Sequence, residues 1–505
     1  MTADVLLPVF VAIPLIASAF TVLMPWRRVN DAVGLLIPAL NLIAGLWLFG
    51  QTSTHGTIGH VIGLYVGNAG IAFAADQLSA IMMVTTMLIA LVANWFAIAS
   101  GETRSSFYIP LSLVLITGVS GALLTADLFN FFVMIEVMLL PSYGLIAMTG
   151  TRYRLASARL FVLFNLAAST LLVLGVGYVY GVTGAVNIAA LRGVASDGGP
   201  ATVAMGIIMI AICAKAAIFP LHTWLPRTYT STSAAVMALF SGLHTKVAVY
   251  MIFRLWVVVF GIDVTHGSAE NWIIIAVMVA SMLVGSFAGL GESTIRQVLA
   301  YQMVAGMPFI LVMLAFTDIE PRYALAAGLL YTIHHMVTMG SLILNSGAIE
   351  ETYGTATLSK LSGLARRDPL TSAVFAAGAF SLIGFPPFSG LWGKLTIVFA
   401  AAAARDARSW VVLTAIVLGS IGALLSMFRI WKEVFWGAPM KKFDSRLTIR
   451  LTHMLPSLSL ALVSMAMFIG AGPVWEAVTG SVDALLDVDA YTSAVLGDSP
   501  VGVPR

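Results

Sequence analysis

Apolar stretches of about twenty residues follow one another along the whole chain, and charged residues, prolines and glycines collect in the short segments between them. Twenty residues of α-helix are long enough to cross the hydrocarbon of a bilayer. A membrane barrel would instead show apolar and polar residues alternating along strands of about ten. The pattern therefore predicts an all-α membrane protein of about 14 transmembrane helices. Their approximate positions are 5-24, 32-50, 75-99, 107-126, 128-149, 157-182, 202-225, 233-260, 272-291, 298-316, 323-348, 370-402, 409-431 and 452-472. The segment after Pro473 carries Glu476, Asp483, Asp487 and Asp489 and is too polar to span again.

Composition agrees with this reading and removes several alternatives. Of 505 residues, 59% are hydrophobic and 10% charged, which leaves too little polar surface to coat a water-soluble body of this size. The formal net charge of +3 says little about partners, and no basic run interleaved with aromatics points to nucleic acid. A single cysteine, Cys213, excludes an internal disulfide and any cysteine-ligated cluster within the chain. No dinucleotide fingerprint is visible, so no cofactor is expected.

Basic residues orient the spans, because they are retained on the cytoplasmic side. The first apolar run has Asp4 before it and Arg27 and Arg28 after it, which predicts an external N-terminus and a retained helix rather than a cleaved signal. Alternation then places Arg104, Arg152, Arg154, Arg227, Arg296, Arg366 and Arg367 inside. Only Arg192, Arg322, Arg405, Arg408 and the acidic tail fall outside. Both termini are expected on the external side of the cell membrane.

Few ionisable residues remain at membrane depth, where each costs roughly 2.5 to 3.5 kcal/mol on insertion scales. They are Glu136, Lys215, Lys246, His334, His335 and Lys394, with His244, Arg254 and Arg429 nearer span ends. The two arginines are expected to snorkel to the interface. His244 lies two residues from Lys246, hence on another helix face, and suits a packing role. Two of the lysines sit beside a proline break: Lys215 precedes Pro220 and Pro226, and Lys394 follows Pro386 and Pro387. Proline frees a backbone carbonyl, tolerated at depth only inside protein or along a water-filled cavity. The breaks fall in spans 7 and 12, five spans apart, which predicts two inverted five-helix repeats. The expected divisions are 1-106 for helices 1-3, 107-260 for the first repeat (helices 4-8), 261-432 for the second (helices 9-13), and 433-505 for helix 14 and a polar external tail.

At LFNFFVMIEVMLLPSYG, AKAAIFPLHTWLP, ALFSGLHTKVAVY and GFPPFSGLWGK the sequence resembles the antiporter-like proton-translocating family. That family is shared by respiratory complex I, membrane-bound hydrogenases and the Mrp-type multisubunit cation/proton antiporters. The lysine of span 12, the wording HTK in span 8 and an end soon after span 14 make it most similar to the D-type subunits of Mrp antiporters. The resemblance implies a fourteen-helix core with inverted repeats and broken spans 7 and 12. It also implies a coupled pair of Glu136 and Lys215, a connecting Lys246 and a terminal proton-transfer Lys394. Relatives often carry a lysine four residues after the span 11 histidine, where this chain has Met339 after His335, so His334 and His335 are expected to stand in for it.

The expected function is proton translocation along this Glu/Lys/His relay within a Na+/H+ antiporter. Its expected partners are a large A-type subunit, small membrane subunits, H+ and Na+, and membrane lipids. The sodium site is not assignable from the sequence. The alternative is a proton-pumping membrane subunit of an NADH-quinone oxidoreductase or membrane-bound hydrogenase, and an inert scaffold leaves the buried charges unexplained.

Overall fold

A computed structural model describes residues 3–62, 70–148, 150–196, 198–262, 269–438, 440, 443–444 and 446–497. The predicted spans are found as helices in order. The first six are α1 (Val9–Leu23), α2 (Arg27–His55), α3 (Gln77–Ser100), α4 (Tyr108–Leu124), α5 (Leu128–Ala147) and α6 (Arg152–Thr183). The seventh is split into α7 (Pro200–Lys215) and α8 (Trp224–Tyr229). Spans 8 to 11 are α9 (Ala234–Leu255), α10 (Ala269–Ala288), α11 (Ile295–Leu311) and α12 (Pro321–Tyr353). After the short α13 (Leu364–Arg367), the twelfth is split into α14 (Pro369–Ile383) and α15 (Gly390–Ala403), and α16 (Ala407–Ile430) and α17 (Leu451–Ile469) complete the spans. A two-stranded antiparallel sheet, β1 (Ile58–Val61) against β2 (Ala72–Ala75), lies between α2 and α3.

The two repeats share a backbone signature that no single span shows. Where α5 begins, Asp127 bridges Asn187 after α6, with Leu128 N–H donating to Val186 and Ile188 N–H to Ala126. Where α11 begins, Thr294 bridges Thr357 after α12, with Ile295 N–H donating to Ala356 and Leu358 N–H to Ser293. Asp127 and Thr294 also cap their helices alike, accepting from Asn130 N–H and Gln297 N–H. The packing repeats as well: α4 lies on α5 as α10 lies on α11, and α6 on α7 as α12 on α14.

Helices that are apolar all round belong in the interior, and here α9 and α12 occupy it. Every residue of α9 is buried, as is nearly all of α12 between Ala324 and Ile349. The rim helices α1, α2, α6 and α16 present large apolar side chains outward, including Leu23, Ile43, Leu174 and Trp410. The non-spanning tail is helical, as α18 (Ala471–Leu486) and α19 (Val488–Leu496), and lies across one face against α3, α12, β1 and β2. Arg322 donates to Asp483 at 2.5 and 2.9 Å, and Arg192 pairs with Asp489. The tail therefore lies on the same face as the two arginines that the charge pattern groups with it.

Arg254 corrects the sequence reading. It does not snorkel: it is 1% exposed and pairs with Asp76 at 2.6 Å, beneath the ring of Tyr491. The tail helix α19 and the N-terminus of α3 close over the end of α9, so the guanidinium meets a carboxylate before it meets water. Arg429 does reach a span end, where it donates to the carbonyls of Leu290 and Glu292 and pairs with Glu433.

Candidate functional site

The break in the seventh span is built from its own sequence. α7 stops at Lys215, Ala217 turns the chain at φ 57, and the carbonyl of Ala214 accepts from the indole N–H of Trp224 at 3.1 Å. Lys215 is buried and its Nζ donates to Ser169 Oγ of α6 at 2.8 Å. Glu136 on α5 lies within electrostatic range of Lys215. No ion pair joins the two among the described residues, and Glu136 Oε1 is buried without a hydrogen-bond partner.

On α9, His244 and Lys246 face opposite ways, as their spacing requires. His244 is held between two hydroxyls, Tyr229 at 3.0 Å on Nδ1 and Ser142 at 2.9 Å on Nε2, and it lies within electrostatic range of Lys215. It stacks on Phe240 with ring centroids 4.4 Å apart, so it packs and connects at once. Lys246 is 1% exposed, with Thr245 Oγ1 at 3.3 Å and Met307 Sδ at 3.7 Å as its neighbours, and it lies within electrostatic range of His335.

His334 and His335 project from the buried stretch of α12 toward different neighbours. His335 Nε2 lies 3.4 Å from the carbonyl of Gln302, and its Nδ1 has no hydrogen-bond partner among the described residues. Gly306 makes room for this ring, since a Cβ there would stand 2.0 Å from Nε2. His334 Nδ1 is 2.8 Å from Ser389 Oγ in the break of the twelfth span, with Nε2 unpartnered. Lys394, on α15, lies within electrostatic range of His334. Its Nζ donates to the carbonyl of Ile383 at 2.8 Å, the acceptor that the break leaves free, and to Ser420 Oγ at 2.9 Å. Met339 is fully buried on the same helix.

The six predicted residues therefore fall in one row. Glu136 lies within electrostatic range of Lys215 and Lys215 of His244; α9 carries both His244 and Lys246, Lys246 lies within range of His335, and His334 within range of Lys394. His244 is the link that sequence reasoning left as packing, although its different helix face was already legible. Ser142, Ser169, Tyr229 and Ser389 gave no signal, because hydroxyls are common in membrane helices and satisfy themselves on their own backbone. Among the described residues no group of three or more His, Cys, Asp and Glu could hold a metal ion.

Fourteen helical spans among the described residues, two breaks and a row of ionisable groups within the spans define a multi-pass membrane protein of the two-repeat kind. Residues 125–426 match the family described as NADH:quinone oxidoreductase/Mrp antiporter, TM, and the chain belongs to that family. It is 31% identical to the D-type subunit of the Na(+)/H(+) antiporter of Bacillus subtilis, over 98% of this chain and 100% of that one. Its fold is similar to a chain of the Mrp complex from Dietzia sp. DQ12-45-1b, with TM-score 0.92 and 37% identity over 98% of this chain and 100% of that one. It shares the fold of a chain of respiratory complex I from Thermus thermophilus, with TM-score 0.79 and 21% identity over 95% and 99% of the two chains.

Proposed function

We propose that this chain is a proton-translocating subunit of a multisubunit Na+/H+ antiporter in the cell membrane, with both termini external. The observation that carries the reading is the row of ionisable groups that runs from half-buried Glu136 through buried Lys215, His244, Lys246, His335 and His334 to Lys394. The likeness to D-type antiporter subunits and to a chain of an Mrp complex supports the cargo, H+ against Na+, and a hetero-oligomeric assembly with large and small membrane subunits.

Glu136 and Lys215 act as the coupled pair. Burial disfavours a charge and a nearby opposite charge favours it, so approach or withdrawal of Glu136 sets whether Lys215 keeps its proton. When Glu136 withdraws, the proton passes from Lys215 to His244 and on to Lys246. From there His335 and His334 carry it to Lys394, standing in for a lysine that relatives often have at the position of Met339. The buried polar atoms without protein partners at Glu136, Ser241, His334 and His335 are the points where water would complete the path. The transport step draws on an ion gradient and needs no cofactor.

The test is sodium-driven proton flux by the purified complex in liposomes with no electron donor present. Flux in the native complex and none in Lys215→Ala or Glu136→Ala complexes that assemble normally is the expected result. Full activity in either variant removes that residue from the path. Proton movement that requires an electron donor supports the alternative membership, in a redox complex.

A further inference from the structure

His334 belongs to a closed ring of hydrogen bonds that the row itself does not use. Its Nδ1 meets Ser389 Oγ at 2.8 Å, Ser389 Oγ meets Ser464 Oγ at 2.8 Å, and Ser464 Oγ meets Ser381 Oγ at 2.9 Å. Ser381 Oγ meets Thr338 Oγ1 at 2.9 Å, and Thr338 Oγ1 returns to His334 Nδ1 at 3.2 Å. All five side chains are buried. The ring is assembled from three separate pieces of the fold: α12, the two sides of the break in the twelfth span, and α17. Ser464 lies outside the two repeats.

One member of the ring also lines a cavity. Ser389 contributes to the wall of a space of about 340 Å³, together with Thr396, Trp392, Tyr323 and Trp475. Tyr323 stands at the start of α12 beside Arg322, and Trp475 on the tail helix α18, so this cavity lies toward the tail face of the protein. Tyrosine and tryptophan are the residues favoured where hydrocarbon meets water. On the ring's other side, His334 Nε2 has no partner among the described residues and Lys394 lies within electrostatic range.

We propose that the ring is the proton-release segment of the protein, and that Ser389 is its outlet to the tail face. The proposal rests on the reading of the row as a proton path. A proton passed back from Lys394, where the row ends, to His334 Nε2 makes the imidazole an imidazolium, whose Nδ1–H is donated to Ser389 Oγ. As that proton is accepted, the hydroxyl's own proton leaves to water in the cavity, so one proton enters and one leaves while Ser389 stays neutral. Two hydroxyls face the same Nδ1, so Thr338 keeps the nitrogen partnered while Ser389 turns toward the cavity. The transfer leaves His334 with its proton on Nε2, and exchange to the Nδ1–H tautomer together with rotation of the ring hydroxyls restores the starting order. Ser464 and Ser381 supply the acceptor and donor that this rotation needs.

The experiment compares shape-matched pairs in the assembled complex, measured as sodium-driven proton flux in liposomes. Ser389→Thr keeps a hydroxyl and Ser389→Val does not, and the two differ little in volume, so the threonine complex should exceed the valine complex by about a hundredfold. The pair Ser464→Thr and Ser464→Val should split in the same direction, and Thr338→Val should fall below the native complex. Equal flux within the Ser389 pair, whether high or low, overturns the proposal. A second measurement does not depend on flux surviving: Thr396→Cys, in a chain with Cys213→Ser, should react with a membrane-impermeant thiol reagent added on the tail face. Failure to react from that face also overturns it. An inactive Lys215→Ala complex beside an undivided Ser389 pair removes the release segment alone, whereas an active Lys215→Ala complex removes the reading on which it rests.

Discussion

Lys394 closes the break of its own span: its ammonium donates to the carbonyl of Ile383 at 2.8 Å, on the far side of the prolines. The corresponding duty in the seventh span falls to Trp224, whose indole holds the carbonyl of Ala214, while Lys215, among the described residues, bonds to Ser169 alone. The two lysines therefore differ in structural burden. Lys394→Met should leave a buried carbonyl unpaired and lower stability by about 1 to 3 kcal/mol, while Lys215→Met should lower it less. Both should abolish proton flux, and thermal melting of the purified complexes should rank the native above Lys215→Met above Lys394→Met.

Gly306 is where α11 leaves space for His335. Its Cβ would lie 2.0 Å from Nε2, so Gly306→Ala must displace the imidazole or part the helices, at about 1 to 3 kcal/mol for an overpacked site. Sodium-driven flux should fall in assembled Gly306→Ala complexes. Gly291→Ala, where an added Cβ meets nothing within 4 Å, should match the native in both flux and melting.

The Asp76 and Arg254 pair tests whether the tail holds charge or merely covers it. Removing one partner of a buried ion pair leaves the other charge uncompensated, which costs about 3 to 5 kcal/mol. Asp76→Asn keeps an oxygen for the Ser79 N–H at the start of α3, so its loss of stability reports the ion pair rather than the cap. Asp76→Asn and Arg254→Met should each lower the melting temperature, and the double variant should recover part of the loss. A double variant as unstable as the sum of the singles would show the two groups to be independent.

Glu102 lies between α3 and α4, outside the spans, and burial pushes its carboxyl up from 4.5 to about 7 against the lowering effect of Ser233 and Arg154. An acid raised in the folded state is ionised first in the unfolded chain. It therefore weakens folding progressively as pH rises from about 4.5 to about 7 and no further above that. Melting of the complex should accordingly decline across this window, and Glu102→Gln should flatten the decline. An unchanged slope in the variant would place the titration elsewhere.

Legibility was uneven in a way the residues explain. Glu136, Lys215, Lys246 and Lys394 stand out because a charge in a long apolar run is conspicuous whatever surrounds it. The two proline breaks are visible for the same reason. Arg254 is misread because Asp76, its partner, belongs to another helix far away in the chain. His244 is read as packing because only the fold brings it between Tyr229 and Ser142 and beside Lys215. The hydroxyls of Ser381, Ser389 and Ser464 carry no sequence signal, since serine is unremarkable in a membrane helix until another helix turns it toward a partner.

The sequence by itself determined that this protein is a bundle of membrane helices, where its spans and breaks fall, and which charges lie deep. Each of these follows from how one short segment partitions between water and hydrocarbon. Only the tertiary structure decided which side of each helix faces which neighbour, and so that the buried groups form a row, that the row meets a ring of hydroxyls, and that the tail seals an ion pair. Hydropathy measures depth and is blind to rotation about a helix axis, which is set by the packing of side chains from distant parts of the chain.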